Sequence, residues 1–293
     1  MHESCRKPTT ARTSRLRPVS MEGHQPLQTL TGDDYIRAFL QIYIFLCWRT
    51  GIRHGVWTPD DLTYLRAQDG SIQGMLHDWD ILVDSSGQFA NQDRFPATPP
   101  SPNFVPFMAI DLLTPEGLEG DVAVLYRHEL ESFIWVLIWA VCCYHNGMMI
   151  RSAPDEMFDW DVRKPLVCGT LKLSFLVIGM AIKPAPDGWV YGAKLAYYLA
   201  SYLRRKDSER ATKREAAYKR WQESQDELVN EAMPSNLAMF VCQEDNDPEG
   251  AWNEFWTYLG KISRLVPCVA EFMPVDLRKA GDADHLKQST TAS

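Results

Sequence analysis

Two short stretches carry residues able to handle a phosphate. The first is Gly51-Ile52-Arg53-His54-Gly55-Val56-Trp57-Thr58-Pro59-Asp60-Asp61-Leu62, with a histidine seven residues ahead of a carboxylate. The second, Met75-Leu76-His77-Asp78-Trp79-Asp80-Ile81, follows a hairpin pattern and adds two more carboxylates. Mg²⁺ is small and hard and takes oxygen ligands, and the carboxylates of these two stretches are of that kind. Phosphoryl transfer asks for more. A carboxylate must orient the attacking hydroxyl, and donors over the triphosphate, usually a Gly-rich loop plus a lysine, must neutralise developing charge. Val56 offers no lone pair for the first task. For the second, Gly23 and Gly32 form no Gly-x-Gly-x-x-Gly run, and Lys7 is the only lysine before Lys164.

The elements that would position these residues can be read from periodicity. Thr31 or Asp33 can cap a helix in which Tyr35, Phe39, Ile42, Phe45 and Leu46 recur at helical spacing, and Gly51 would end it. Leu62-Thr63-Tyr64-Leu65 and Ile72-Gln73-Gly74-Met75-Leu76 read as strands joined by a turn at Asp69-Gly70. Residues 84–106 are rich in Pro, Ser and Asn and predict an irregular segment. A helix is expected from about Ala123 to Tyr144, polar at its start and apolar on every face later, as befits the middle of a core. Further helices are expected over Leu171 to Ile182, Gly192 to Tyr202 and Trp252 to Leu265. Residues 203–232 are charged throughout, basic first and acidic later, and read as a long solvated helix or an insertion. His54 and His128 read as hydrogen-bonded structural histidines rather than ligands.

Composition sets the outer limits. The chain has 293 residues, is 45% hydrophobic and carries 10 Trp, 11 Tyr and 12 Phe, enough for a sizeable core. A net charge of −8 disfavours binding to nucleic acid or an anionic membrane. Seven cysteines, with no Cys-x-x-Cys pair, argue for buried free thiols in a reducing compartment. An intracellular protein of the cytoplasm or nucleus is therefore expected. The longest apolar run, Phe133 to Tyr144, has 12 residues, short of the ~20 a membrane span needs. Residues 1–30 read as a disordered basic tail, 31–275 as one domain and 276–293 as a flexible tail.

The segment 51–82 resembles the catalytic loop, hairpin and metal-binding turn of the protein kinases, His-Arg-Asp-x-x-x-x-Asn followed by Asp-Phe-Gly. The nearest likeness is to the fungal-type protein kinases, whose turn reads Asp-Phe-Asp; here it is Asp78-Trp79-Asp80. Val105-Pro106-Phe107-Met108-Ala109-Ile110-Asp111 resembles the segment that ends the activation loop in that family. Tyr126-Arg127-His128-Glu129-Leu130-Glu131-Ser132-Phe133 resembles its Arg-His-Asp-Leu-Glu-Ser-Phe motif at the start of the central helix. Weaker echoes are Trp160 and Lys172-Leu173-Ser174-Phe175-Leu176.

The resemblance implies a mainly α fold with a small β-hairpin, the helical C-terminal lobe of a protein kinase-like domain with the N-terminal lobe absent. Residue by residue, His54 matches the structural histidine of the loop and Gly55 replaces its arginine. Val56 stands at the catalytic aspartate, Asp61 replaces the metal-binding asparagine, and Asp78 matches the aspartate of the turn. Glu129 replaces the aspartate that braces the loop from the central helix. The expected function is a catalytically inactive kinase-like module that binds a protein partner, with a possible homo-oligomer. No nucleic-acid or membrane partner is expected, and Mg-ATP is the cofactor if any nucleotide binds. Two alternatives stay open. One is an active Ser/Thr protein kinase represented by an incomplete gene model. The other is a small-molecule kinase like the aminoglycoside phosphotransferases, whose His-Gly-Asp loop His54-Gly55 fits better.

Overall fold

The computed structural model describes residues 23–44, 56–76, 103–122, 124–145, 147–149, 160, 164–178, 189–225 and 248–273. His54, Gly55, Asp78, the tail 1–22, residues 226–232 and the tail 276–293 lie outside them. The described part is mostly helical with a small antiparallel sheet, as the sequence predicts. In chain order it runs β1 (Gln25–Pro26), α1 (Gly32–Tyr43), β2 (Leu62–Arg66), β3 (Ile72–Leu76), α2 (Pro115–Leu118), α3 (Tyr126–Cys143), β4 (Tyr144–His145), β5 (Met148–Met149), α4 (Pro165–Ile178), α5 (Val190–Gln225), α6 (Pro248–Ile262) and α7 (Pro267–Ala270).

Helix α3 is the axis of the domain. From Phe133 to Val141 each residue except Trp139 is at most 1% exposed, as its all-round apolar sequence demands. Phe39 and Tyr43 of α1 stack on Phe133 at centroid distances of 3.7 and 4.3 Å. Trp135, Trp160 and Phe175 of α4 form a second aromatic group with edge-on contacts of 5.2 to 6.1 Å. Cys142, Cys143, Cys168 and Cys268 are buried and form no disulfide. Among the described residues no helix is long and apolar enough to cross a membrane.

The hairpin β2–β3 pairs Leu62 with Leu76 through Arg66 with Ile72. Its turn is wider than a two-residue Asp-Gly connection: Gly70 N–H donates to Ala67 O (3.0 Å), and Gly70 takes φ +84°. The hairpin lies against α1 so closely that a Cβ on Gly74 would sit 2.2 Å from Ala38 O. Gly74 N–H donates to Gln41 Oε1 there (2.9 Å).

Part of the region read as a disordered tail is ordered. Gln25–Pro26 pairs with β2 at the edge of the sheet, where a proline costs no ladder bond. Leu27 beside it is 1% exposed. The helix expected over 171–182 begins earlier, at Pro165, and the pieces expected over 192–202 and from 203 onward run as one helix, α5, as far as Gln225.

Candidate functional site

Thr58-Pro59-Asp60-Asp61 is a sequence that caps itself. Pro59 fits the first helical position, and a carboxylate three residues after a threonine can reach back to it. Pro59–Asp61 accordingly forms one 3-10 turn. Asp61 Oδ2 accepts from Thr58 N–H at 2.7 Å and from the Thr58 hydroxyl at 2.8 Å. The candidate metal ligand thus has one oxygen committed to local structure. Asp60 beside it is exposed. Among the described residues no group of three His, Cys, Asp or Glu is placed to hold a metal ion.

Val56 is 8% exposed and belongs to the main core, next to Trp57 at 0%. The Trp57 ring meets Phe133 edge-on at 5.6 Å, and the Trp57 backbone N–H donates to Ser132 Oγ (2.8 Å). Hydrophobic burial and one bond to the central helix therefore seat this loop.

The first two turns of α3 hold the polar residues of an otherwise apolar helix, and several of them have structural work. His128 Nδ1 accepts from Leu125 N–H (3.0 Å), capping the helix start. The imidazole is then neutral with its proton on Nε2, which lies 3.9 Å from Asp111 Oδ2, too far for a hydrogen bond. Burial, then the charge of Arg127, lowers the His128 pKa to about 4, against the opposing pull of Asp111. Arg127 Nη1 is 2.6 Å from Asp111 Oδ2, and Arg214 of α5 is 3.8 Å from Asp111 Oδ1. Burial would raise the Asp111 carboxyl, but His128 and the charges of Arg127 and Arg210 outweigh it and hold it well below the ordinary range.

Glu131, 3% exposed, bridges two elements. Its Oε1 accepts from Ile110 N–H (2.8 Å) and from Trp135 Nε1 (3.2 Å). Burial raises its pKa. Two residues before Ile110, Met108 O accepts from the fully buried Lys172 Nζ at 2.6 Å. That ammonium lies 4.9 Å over the Trp135 ring, and burial lowers its pKa to about 8. Glu129 is fully buried in the same turn of α3.

The motif stretches met separately in the sequence are thus bonded to one another. Residues 105–111, 126–133, Trp57 and Lys172 form one network across the top of α3. Asp78 and His54 lie outside the described residues. Sequence reading missed the pairing of Asp111 with Arg127 and the bridging by Glu131. The signal was present, since a carboxylate on a helix otherwise apolar all round must find a partner.

Residues 63–141 match the sequence model of the family described as fungal protein kinase. The match supports the assignment to the fungal-type protein kinases drawn from the motifs. It takes in Asp78, the 105–111 segment and the start of α3, and begins just after Val56 and Asp61. Comparison with curated proteins and with solved structures finds no match.

Proposed function

We propose that this chain is a kinase-like C-terminal-lobe module of the fungal type that does not transfer phosphate and works by binding a protein partner. The observation that carries the reading is Val56. The resemblance places a catalytic aspartate at that position, and here an aliphatic side chain is buried in the core. A side chain without a lone pair can neither accept a proton nor orient a hydroxyl, and the loss of a positioned base costs about 10²–10⁴ in rate. Asp60 is four residues on, and a displacement of even about 1 Å costs roughly 10². Asp61, the other acid of the loop, already accepts two bonds from Thr58. What remains intact is the network that joins the motif segments, which is what a module retained for its shape requires.

The test is phosphotransfer from radiolabelled ATP with Mg²⁺, using the purified chain with generic protein substrates and with small hydroxyl acceptors. The expected outcome is no turnover above background. Robust turnover that disappears in Asp78→Ala would overturn the proposal and favour an active phosphotransferase.

A further inference from the structure

The basic run at the start of the charged stretch has a use that neither the catalytic-loop reading nor the family match supplies. Lys206, Arg210 and Lys213 recur at i, i+4 and i+7 of α5, one helical face. That face does not look simply into solvent. It lines a partly open cavity of about 270 Å³, together with the start of α3, the end of α1 and the first turns of α6.

Arg210 is the centre of interest. It is 8% exposed, its Nη2 lies 3.5 Å from Asp207, and its buried Nε–H has no hydrogen-bond partner. A buried guanidinium with an unused donor is costly unless something fills the place. The nearby acids Asp111 and Glu131 feel the charge of Arg210 but leave its Nε–H unbonded: Asp111 pairs with Arg127 at 2.6 Å, Glu131 bonds Ile110 and Trp135, and Glu254 pairs with Lys206 at 2.8 Å and Arg205 at 3.3 Å. The remaining wall is largely aromatic, including Tyr126, Tyr202 and Trp252.

The cavity is separate from the Val56 loop. Tyr126, Arg127, Leu130 and Glu131 line it, whereas Ser132, which holds Trp57, points about 170° away from the middle of their arc at roughly 100° per residue.

We propose that this cavity binds a small aryl phosphate monoester, its dianion held by Arg210 and Lys213 and its ring set among Tyr126, Tyr202 and Trp252. Guanidinium groups suit phosphate because their donors match its oxygens in pairs. The volume lies at the small end of ligand pockets, which run about 300–1,000 Å³, so one ring and one phosphate is the size of ligand the wall admits.

The experiment is calorimetric titration of the full chain with phenyl phosphate, inorganic phosphate, phenol and a phosphotyrosyl peptide. Phenyl phosphate should bind one site with Kd on the order of 10⁻⁴ M, about what so few atoms reach. Phenol should not bind, and inorganic phosphate should bind at least about tenfold more weakly than phenyl phosphate, lacking the ring contacts. Arg210→Gln should weaken phenyl phosphate about tenfold or more and Lys213→Gln about threefold or more, with Lys219→Gln, an exposed cation on the same helix, without effect. Lys213 is exposed, so its variant folds even if Arg210→Gln does not. If the peptide binds at least as tightly as phenyl phosphate, the ligand is a phosphorylated side chain; weaker binding points to a free metabolite. Absence of saturable phenyl phosphate binding, or binding unchanged in Lys213→Gln and in folded Arg210→Gln, overturns the proposal.

Discussion

Replacing Val56 by aspartate restores, on paper, the residue the kinase resemblance asks for, and the structure says what would follow. Val56 is 8% exposed, so removing its isopropyl group forfeits about 1.5–2 kcal/mol of burial. A carboxylate in its place loses most of its hydration. If that raises its pKa by about 3 units, the cost of ionising it at neutral pH is about 4 kcal/mol at 1.36 kcal/mol per unit. Together the change should cost about 5.5–6 kcal/mol, a large part of the ~5–15 kcal/mol that holds a domain folded. Val56→Asn shares the lost burial without the charge. The aspartate's pKa is raised in the folded state, so Val56→Asp should lose stability relative to Val56→Asn as pH rises from about 4 to about 7. Urea unfolding followed by tryptophan fluorescence at pH 5 and pH 7.5 measures both quantities. Phosphotransfer should stay at background. If Val56→Asp lies within about 1 kcal/mol of the parent with no pH-dependent gap to Val56→Asn, position 56 faces water and the reasoning fails. It fails equally if the variant turns over ATP.

Three further outcomes are expected. Because the buried His128 has its pKa lowered to about 4 from 6.5, its contribution is full above about pH 6.5 and is lost as pH falls towards 4. The loss is at most about 3 kcal/mol, and the acid sensitivity should shrink in His128→Asn when urea midpoints are compared at pH 7 and 4.5. Glu131→Gln keeps an acceptor for Ile110 N–H and Trp135 Nε1 and should cost under about 1 kcal/mol, whereas Glu131→Ala orphans both donors and should cost about 2–4 kcal/mol by the same unfolding assay. Gly74→Ala drives a methyl to within 2.2 Å of Ala38 O, and should destabilise by about 3 kcal/mol or more. Faster amide exchange in β3 would show the hairpin parting from α1.

What the sequence disclosed follows the range of the forces involved. Helix α3 was legible over 123–144 against an observed Tyr126–Cys143, because a run apolar on every side admits few other placements. The hairpin was legible because alternation and a glycine turn are local. Strand β1 was not, since two residues with a proline carry no period of their own and pair with residues 63 and 64 far along the chain. Helix α5 was split in the reading because its apolar face fades after Leu203, while good helix formers carry the backbone on to Gln225. At the candidate site, the sequence marked out Val56 and Asp61, and the structure places the first in the core and the second in a cap on Thr58. That Asp61 closes a cap on Thr58 was also latent in Thr-Pro-Asp-Asp. The joining of 110–111 to α3 was not, because pairings across tens of residues leave no local trace.

The network accounts for the kinase-like motifs without reference to the residue at position 56. In the motif at the start of α3, His128 caps the helix, Arg127 neutralises Asp111, Glu131 fixes the backbone at Ile110, and Ser132 fixes the backbone at Trp57. None of these contacts involves a phosphate. Each satisfies a buried donor or charge whose loss would cost about 1–3 kcal/mol, so the motif is anchored by folding alone. A match across residues 63–141 therefore reports how the segments are held together. On the proposed reading no phosphate is transferred with valine at position 56, and none of these contacts uses that side chain.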